Sequence, residues 1–436
     1  MIRVLLGILA FVVYIALVIW IAFALHFTGT KLILFCAILG LLGAAIIGFI
    51  VWYLRPRGAA ISADANAADA ANLAALLRDA DTKVRQANRA GAKTLAALPL
   101  LYIVGDENSA KTQTILQAGL DPELLAGNVY QDGGVVPTSL ANVWLTSNAA
   151  LVEAGGPLLK QPGLWQRLVK HTVPPQLGSA LSSGKKIPAR AIVVCVSIER
   201  ILAPSTAEQI RALAQTLNER LRELSQILGV SLPVYVLFTK LDTIGSFGEF
   251  ATRLSEEEVR QPIGSLVSVI GAGSGLYAER AAGAIGLKFD QLVYALSEFR
   301  LDVLSRGTEI QQQARAYEFP RDVRKLRAGI VSLLVEVARP SQIGVNPFLR
   351  GFFFTGMRAH IVNNVLDVAA QQAQPQAPAP ADGATRVFSF SGMKAAAPAP
   401  APRSSGTRKV PQWVFLPHLF SNILRSEERR VGKECW

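Results

Sequence analysis

The sequence predicts a membrane-anchored α/β protein: a two-helix transmembrane hairpin, then a phosphate-loop α/β domain, then a helical region. Three observations carry that prediction. Two charge-free apolar runs, 4–25 and 32–54, open the chain. An apolar run at 100–104 passes through Gly105 and a polar turn into Lys111-Thr112, the strand, loop and helix order of a phosphate site. A second strand-like run, 234–238, delivers Thr239-Lys240-Leu241-Asp242. Together they predict a P-loop NTPase-like domain behind a membrane anchor.

Each opening run has about 22 residues, enough to cross a hydrocarbon core of about 30 Å. The connector at 26–31 is short, so the pair reads as a hairpin occupying 1–57. A cleaved signal peptide fits less well, because the first run is too long and a second span follows at once. Arg3 precedes the hairpin, Arg55 and Arg57 follow it, and the connector has only Lys31, which places both ends in the cytoplasm. Residues 58–98, rich in Ala with scattered charge, read as a linker helix.

The NTPase-like domain is expected over 99–265. In G-x-x-x-x-G-K-[ST] the loop N–H groups cradle phosphate, the Lys neutralises it and the Thr hydroxyl helps hold Mg²⁺. Gly105, Lys111 and Thr112 are in register here, but Ala110 stands at the second glycine. The following helix is expected over about 111–118, ending at Gly119. Residues 141–156 read as a hairpin whose second strand ends in Glu153-Ala154-Gly155-Gly156, where such folds place a metal-facing carboxylate and a phosphate-sensing turn. The plainer reading of Glu153 is a solvated strand-end carboxylate. Thr138, in Val-Pro-Thr, is a candidate switch threonine.

Residues 191–198 form the next buried strand. Ser205-Thr206-Ala207-Glu208 is a capping box, followed by Ile210, Leu213, Leu217, Leu221, Leu224 and Leu228 at helical spacing and by Gly229 as the stop. Thr239-Lys240-Leu241-Asp242 fits [NT]-K-x-D, in which the Asp accepts two bonds from guanine and the Lys stem packs over the base. The candidate nucleotide site is therefore Gly105, Lys111, Thr112, Thr138, Glu153, Gly156, Lys240 and Asp242, with Thr112 and Glu153 facing Mg²⁺ and GTP or ATP as the ligand. An emptied site with no cofactor is the other reading. Gly271-Ala272-Gly273-Ser274-Gly275 is read as a turn.

Residues 266–370 are expected to form a helical subdomain, with a basic cluster at Arg321, Arg324, Lys325 and Arg327 that is a solvated face or a contact for anionic lipid. Residues 371–409 are an Ala/Pro-rich extended linker. Apolar character returns at 410–424, which reads as the start of a further segment. Residues 425–436 read as the translation of a sequencing adapter, so the natural sequence is expected to depart after about Leu424.

Composition excludes several classes. The chain has 436 residues, 51% hydrophobic, with a net charge of +12. Its 3 Cys and 4 His are scattered, without the spacing of a disulfide framework, a zinc site or a Ser/His/Asp arrangement. The positive charge comes with no aromatic-basic motif, so it points to a membrane surface and not to nucleic acid.

The combination of hairpin, Leu98-Pro-Leu-Leu-Tyr-Ile-Val-Gly105, Trp144 before Glu-Ala-Gly-Gly, Pro233-Val-Tyr-Val-Leu-Phe-Thr-Lys-Leu-Asp242, Pro347–Thr355 and 415–423 resembles the IcmF/TssM family. That resemblance implies an inner-membrane core component of the bacterial type VI secretion system, cytoplasmic in its main domain. It implies an assembly role, with an active NTPase switch or an unrelated membrane-tethered GTPase as the alternatives. It also implies a third span and a periplasmic domain beyond this sequence. The implied partners are a TssL-like inner-membrane protein, a TssJ-like lipoprotein, baseplate components and further copies of the chain, with no nucleic acid. The family usually carries Gly, Asp and Thr where this chain has Ala110, Glu153 and Ala154, which argues against hydrolysis.

Overall fold

The structure is a computed structural model that describes residues 58–433 apart from 88–91, 132–133, 137, 175–187, 204–205, 269–276, 308, 343 and 365–405. The expected hairpin, the 371–405 part of the linker, the Ser205 cap and the 271–275 turn lie outside the described residues. Among those described, no helix is long and apolar enough to cross a membrane. The chain divides into units 1–72 and 73–436. The sheet and the candidate site lie in the second.

Helix α1 (Gly58–Ala87) buries Leu73, Leu77, Ala80 and Val84 on one face. Then follow β1 (Leu100–Gly105), α2 (Lys111–Leu116), β2 (Glu123–Ala126) and a small ribbon of β3 (Tyr130–Gln131) and β4 (Gly134–Val135). Strands β5 (Ala141–Leu145) and β6 (Ala150–Ala154) form the expected hairpin, antiparallel with Asn142 opposite Glu153. Helices α3 (Gly156–Lys160) and α4 (Pro162–His171) lead to β7 (Arg190–Ser197), α5 (Glu199–Leu202), α6 (Thr206–Leu228) and β8 (Pro233–Thr239). Beyond it come α7 (Phe247–Ala251), α8 (Glu256–Arg260), β9 (Ile263–Leu266), α9 (Tyr277–Ser305), α10 (Ile310–Lys325), α11 (Arg327–Val337), β10 (Phe348–Phe354), β11 (Gly356–Asn364), β12 (Gly406–Val414) and α12 (Pro417–Lys433).

The main sheet has eight strands in the order β2-β5-β6-β1-β7-β8-β10-β9. β6, β1, β7, β8 and β10 run parallel to one another, β5 runs antiparallel to both β2 and β6, and β9 runs antiparallel to β10. β1, β7 and β8 are buried along their whole length, which is why they read as unbroken apolar runs. From β1 the chain builds the sheet on one side through β6, then crosses to the other side at β7. The carboxyl end of β1 is therefore a topological switch point, where open α/β sheets form their ligand crevice.

Two boundaries differ from the sequence expectation. The stretch 266–370 does hold three helices, but it returns β10 to the sheet, parallel to β8 and next to β9. Its Phe-rich sequence fits a fully covered strand: Phe352 and Phe354 are buried and stack on Phe289 and Phe238. Residues 410–424 do not open a new segment. Leu416, Leu419, Phe420 and Ile423 recur at helical spacing and join Leu101, Ile103, Ile115, Trp144, Val193 and Leu237 in one core. Each such side chain contributes roughly 1.5–3 kcal/mol on burial. Of the basic cluster, Arg321, Lys325 and Arg327 are paired with Glu318, Asp322 and Asp290 on exposed faces.

Candidate functional site

The loop after β1 is held by close approach at both ends. A Cβ on Gly105 would lie 2.3 Å from the Cys195 carbonyl oxygen, so only glycine lets β1 end beside β7. A Cβ on Gly156 would lie 2.6 Å from Glu107 Cγ, so the turn after β6 also abuts the loop through a glycine. Within the loop Asn108 (φ 59°) and Ala110 (φ 57°, ψ 28°) are left-handed. The loop thus keeps the winding a glycine would take freely, and Ala110 costs roughly 1–2 kcal/mol of strain there. Ala110 O then accepts from the backbone N–H and hydroxyl of Thr114, which starts α2 at Lys111. The helix ends at Leu116, two residues earlier than expected, and Gly119 follows at φ +67°.

Lys111 is buried and folds over the loop. Its Nζ donates to Gly105 O (3.0 Å) and Asp106 O (2.7 Å), with Ser109 Oγ at 3.4 Å. Burial pushes its pKa down, against a smaller upward pull from Cys195, Glu153, Asp106 and Glu107.

Glu153 is not a solvated strand-end carboxylate: its relative exposure is 0%. Oε1 accepts from Thr112 Oγ1 (2.6 Å) and Thr138 Oγ1 (2.7 Å). Oε2 accepts from Asn142 Nδ2 (3.0 Å) and Trp144 Nε1 (3.3 Å). A carboxylate offers about four lone-pair positions, and all are used here. Glu153 is the hub that draws α2, the Thr138 segment and β5 together. A cavity of about 160 Å³ opens beside it, lined by residues 107–113, Val136, Thr138, Glu153 and Gly156. That volume suits phosphate groups; a whole drug-sized ligand takes about 300–1,000 Å³.

Thr239 reaches the same loop, its hydroxyl donating to Ser109 O at 3.0 Å. Lys240 is left-handed (φ 59°), and its Nζ pairs with Glu199 at 2.7 Å. That contact is the first cause of the Glu199 carboxyl lying below its usual range. Asp242 Oδ1 accepts from Met357 N at 3.0 Å, and Leu241 N donates to Thr355 O at 3.0 Å. The turn from β10 into β11 is therefore pinned to the Lys240–Asp242 loop.

All eight sequence-named positions thus lie around the carboxyl ends of β1, β6 and β8. Gly105, Lys111, Thr112, Thr138, Glu153 and Gly156 gather around one loop, and Lys240 and Asp242 stand apart on the next. Sequence reasoning missed Asn142 as a partner of Glu153, though the two-residue turn at 147–148 fixes the hairpin register that makes them neighbours. It also missed the ion pairs Asp106–Arg200 (2.5 Å) and Glu107–Lys160 (2.9 Å), which tie the loop to α5 and α3. No local pattern signals these, because each joins separate elements. Among the described residues no group of three or more His, Cys, Asp or Glu stands ready to hold a metal.

Comparison with known proteins adds the following. Residues 183–434 match the model of the IcmF-related N-terminal domain. The type VI secretion system component TssM1 of Pseudomonas aeruginosa is 28% identical over 297 residues, covering 67% of this chain. The chain spans about a quarter of that relative, 26% of its length. Two solved structures are faintly similar. One is the signal recognition particle receptor SRb-GTP/SRX complex of Chaetomium thermophilum, with TM-score 0.20, 15% identity, 33% of this chain and 71% of that one. The other is a GTP-binding protein of Sulfolobus solfataricus in complex with GDP, with TM-score 0.18, 18% identity, 34% of this chain and 37% of that one. Both likenesses are too slight to place the fold.

Proposed function

Because the chain belongs to the IcmF/TssM family, we propose that it is the N-terminal part of an inner-membrane component of a type VI secretion system, and that its α/β body is a P-loop NTPase-like docking module serving assembly. In that role it would meet a TssL-like protein and the baseplate from the cytoplasm, and a TssJ-like lipoprotein through a part outside this sequence. The observation that carries the assembly reading is the saturation of Glu153. Its carboxylate holds four donors of its own chain, so it serves as a structural fastener. Lys240 and Asp242 are likewise engaged by Glu199 and Met357. The loop also carries Asp106 and Glu107, which oppose an anionic ligand until Arg200 and Lys160 offset them.

A second reading, a nucleotide switch, has its own support. The Thr112 hydroxyl gives its proton to Glu153, which leaves its lone pairs for a cation. Lys111 stands at the loop with its ammonium on loop carbonyls that a phosphate could replace. The residues therefore fit phosphate with Mg²⁺: Lys111 and Thr112 would hold them, and Glu153 would orient Thr112 without binding the ion itself. Bound Mg²⁺ would supply charge neutralisation at the phosphates.

The test is calorimetric titration of the full chain in detergent with ATP and GTP, each with Mg²⁺, beside Lys111→Ala. The docking reading expects no heat at millimolar nucleotide. Saturable binding that Lys111→Ala abolishes would overturn it in favour of the switch.

A further inference from the structure

We infer that the outer face of α9 is a self-association surface, on which a second copy of this chain packs its own α9 antiparallel. One face of this helix is spent on the fold. Ala281, Ile285, Phe289, Val293 and Leu296 are buried, and the helix packs against α10, α11 and β9. The opposite face carries Leu287, Tyr294 and Leu301, exposed at 58%, 69% and 58%. They recur every seven residues, so they lie in one line along the helix, about 21 Å from first to last. Single exposed apolar residues are ordinary, but an aligned stripe is the kind of surface that marks a partner site.

Charge says which occupant fits. Lys288 and Asp302 flank the stripe on the same side, fourteen residues apart. Pack two copies antiparallel about Tyr294. Leu287 then faces Leu301 of the second copy, Tyr294 faces its own equivalent, and Lys288 comes within a turn of Asp302 of the second copy. The two-fold repeats every one of these contacts, as an isologous interface requires. A parallel pairing, about a two-fold along the helices, instead carries these groups of the two copies to opposite edges of the seam and leaves Lys288 and Asp302 fourteen residues apart, so it forms no such ion pair. Of the other nearby ionic groups, Asp290 pairs with Arg327, and Arg300 lies 3.9 Å over the Tyr317 ring; Lys288 Nζ itself donates to Gln291 Oε1 at 3.2 Å and, among the described residues, pairs with no carboxylate of its own chain. Gln291 and Glu298 interrupt the stripe. The contact is therefore a modest one, suited to chains already brought together at high local concentration.

The experiment is site-directed crosslinking in the full chain, with Cys36 and Cys435 replaced by Ser and the buried Cys195 kept. Leu287→Cys and Leu301→Cys chains carrying different tags are treated with a short bismaleimide, separately and mixed. Antiparallel packing predicts a crosslinked dimer from the mixture, at several times the yield of either variant alone. Lys288→Asp should lower that yield by roughly two- to fivefold, the scale of an exposed ion pair, and Asp302→Lys in the same chain should restore it. Restoration shows that both variants are folded. A dimer from Leu287→Cys alone would mean parallel packing and would overturn the inference. So would no dimer from any combination, which would assign the stripe to a different protein or to residues 365–405 of the same chain.

Discussion

Replacing Glu153 separates an acceptor hub from a merely buried charge. In Glu153→Ala the two threonine hydroxyls, 3.3 Å apart, can turn to one another, and Asn142 keeps Thr138 at 3.1 Å. Trp144 Nε1 keeps no acceptor, and a buried donor left unmatched costs about 1–3 kcal/mol. The cavity left by a fully buried side chain adds about 2 kcal/mol. The sum is a loss of about 3–5 kcal/mol. Glu153→Gln keeps the volume. Its carbonyl oxygen can serve Asn142 and Trp144, while its amide donates to the two hydroxyls, which act as donor or acceptor by rotation. Its cost should be about 1 kcal/mol. The assay is urea unfolding of the full chain in detergent, followed by tryptophan fluorescence. A Glu153→Ala loss under about 1 kcal/mol would refute the hub, as that is the scale of an ordinary substitution. Equal losses for Ala and Gln would show that charge, and not acceptor geometry, holds the site.

Two further outcomes follow from the titratable groups. Glu258 is held down to about 2, first by its bonds to Arg306 at 2.6 and 2.9 Å, with help from the Ser255 capping box. A folded pKa below the unfolded one stabilises above the unfolded value of about 4.5 and loses that contribution as pH falls through the folded one. Arg306→Gln should therefore flatten the fall in melting temperature between about pH 4.5 and pH 2, leaving the variant and the parent most alike at the acid end. Cys195 is buried and its thiol is pushed up to about 12 by that burial. Maleimide should leave Cys195 unlabelled in the native chain at neutral pH and label it in urea, read by peptide mass.

Legibility in the sequence followed the range of the interactions. The loop from Gly105 to Thr112, the 141–156 hairpin and helix α6 were readable because local spacing sets them. The burial of Glu153 was not, because β6 is covered on both faces and has no polar-apolar alternation to read. β10 was hidden for a different reason. Its pairing joins Phe348 to Pro233, a crossover of more than a hundred residues through helices α7 to α11 and strand β9, and nothing in a window of sequence reports it. The closing helix α12 showed only as a return of apolar character at 410–424, and not as a helix or as cover for the β1 and β8 face.

The same contrast bears on what the loop is for. Ala110 holds a left-handed conformation at roughly 1–2 kcal/mol of strain, and the loop keeps its winding all the same. The contacts that hold it there are internal: Lys111 on Gly105 and Asp106, Thr112 on Glu153, Thr239 on Ser109, and the two ion pairs to α3 and α5. A loop fastened by its own side chains has less need of phosphate to shape it. Fold and site are separable. Here the contacts that would grip a nucleotide also join β1, β6, β7 and β8 at the switch point, so removing Glu153 should cost stability whether or not nucleotide ever binds.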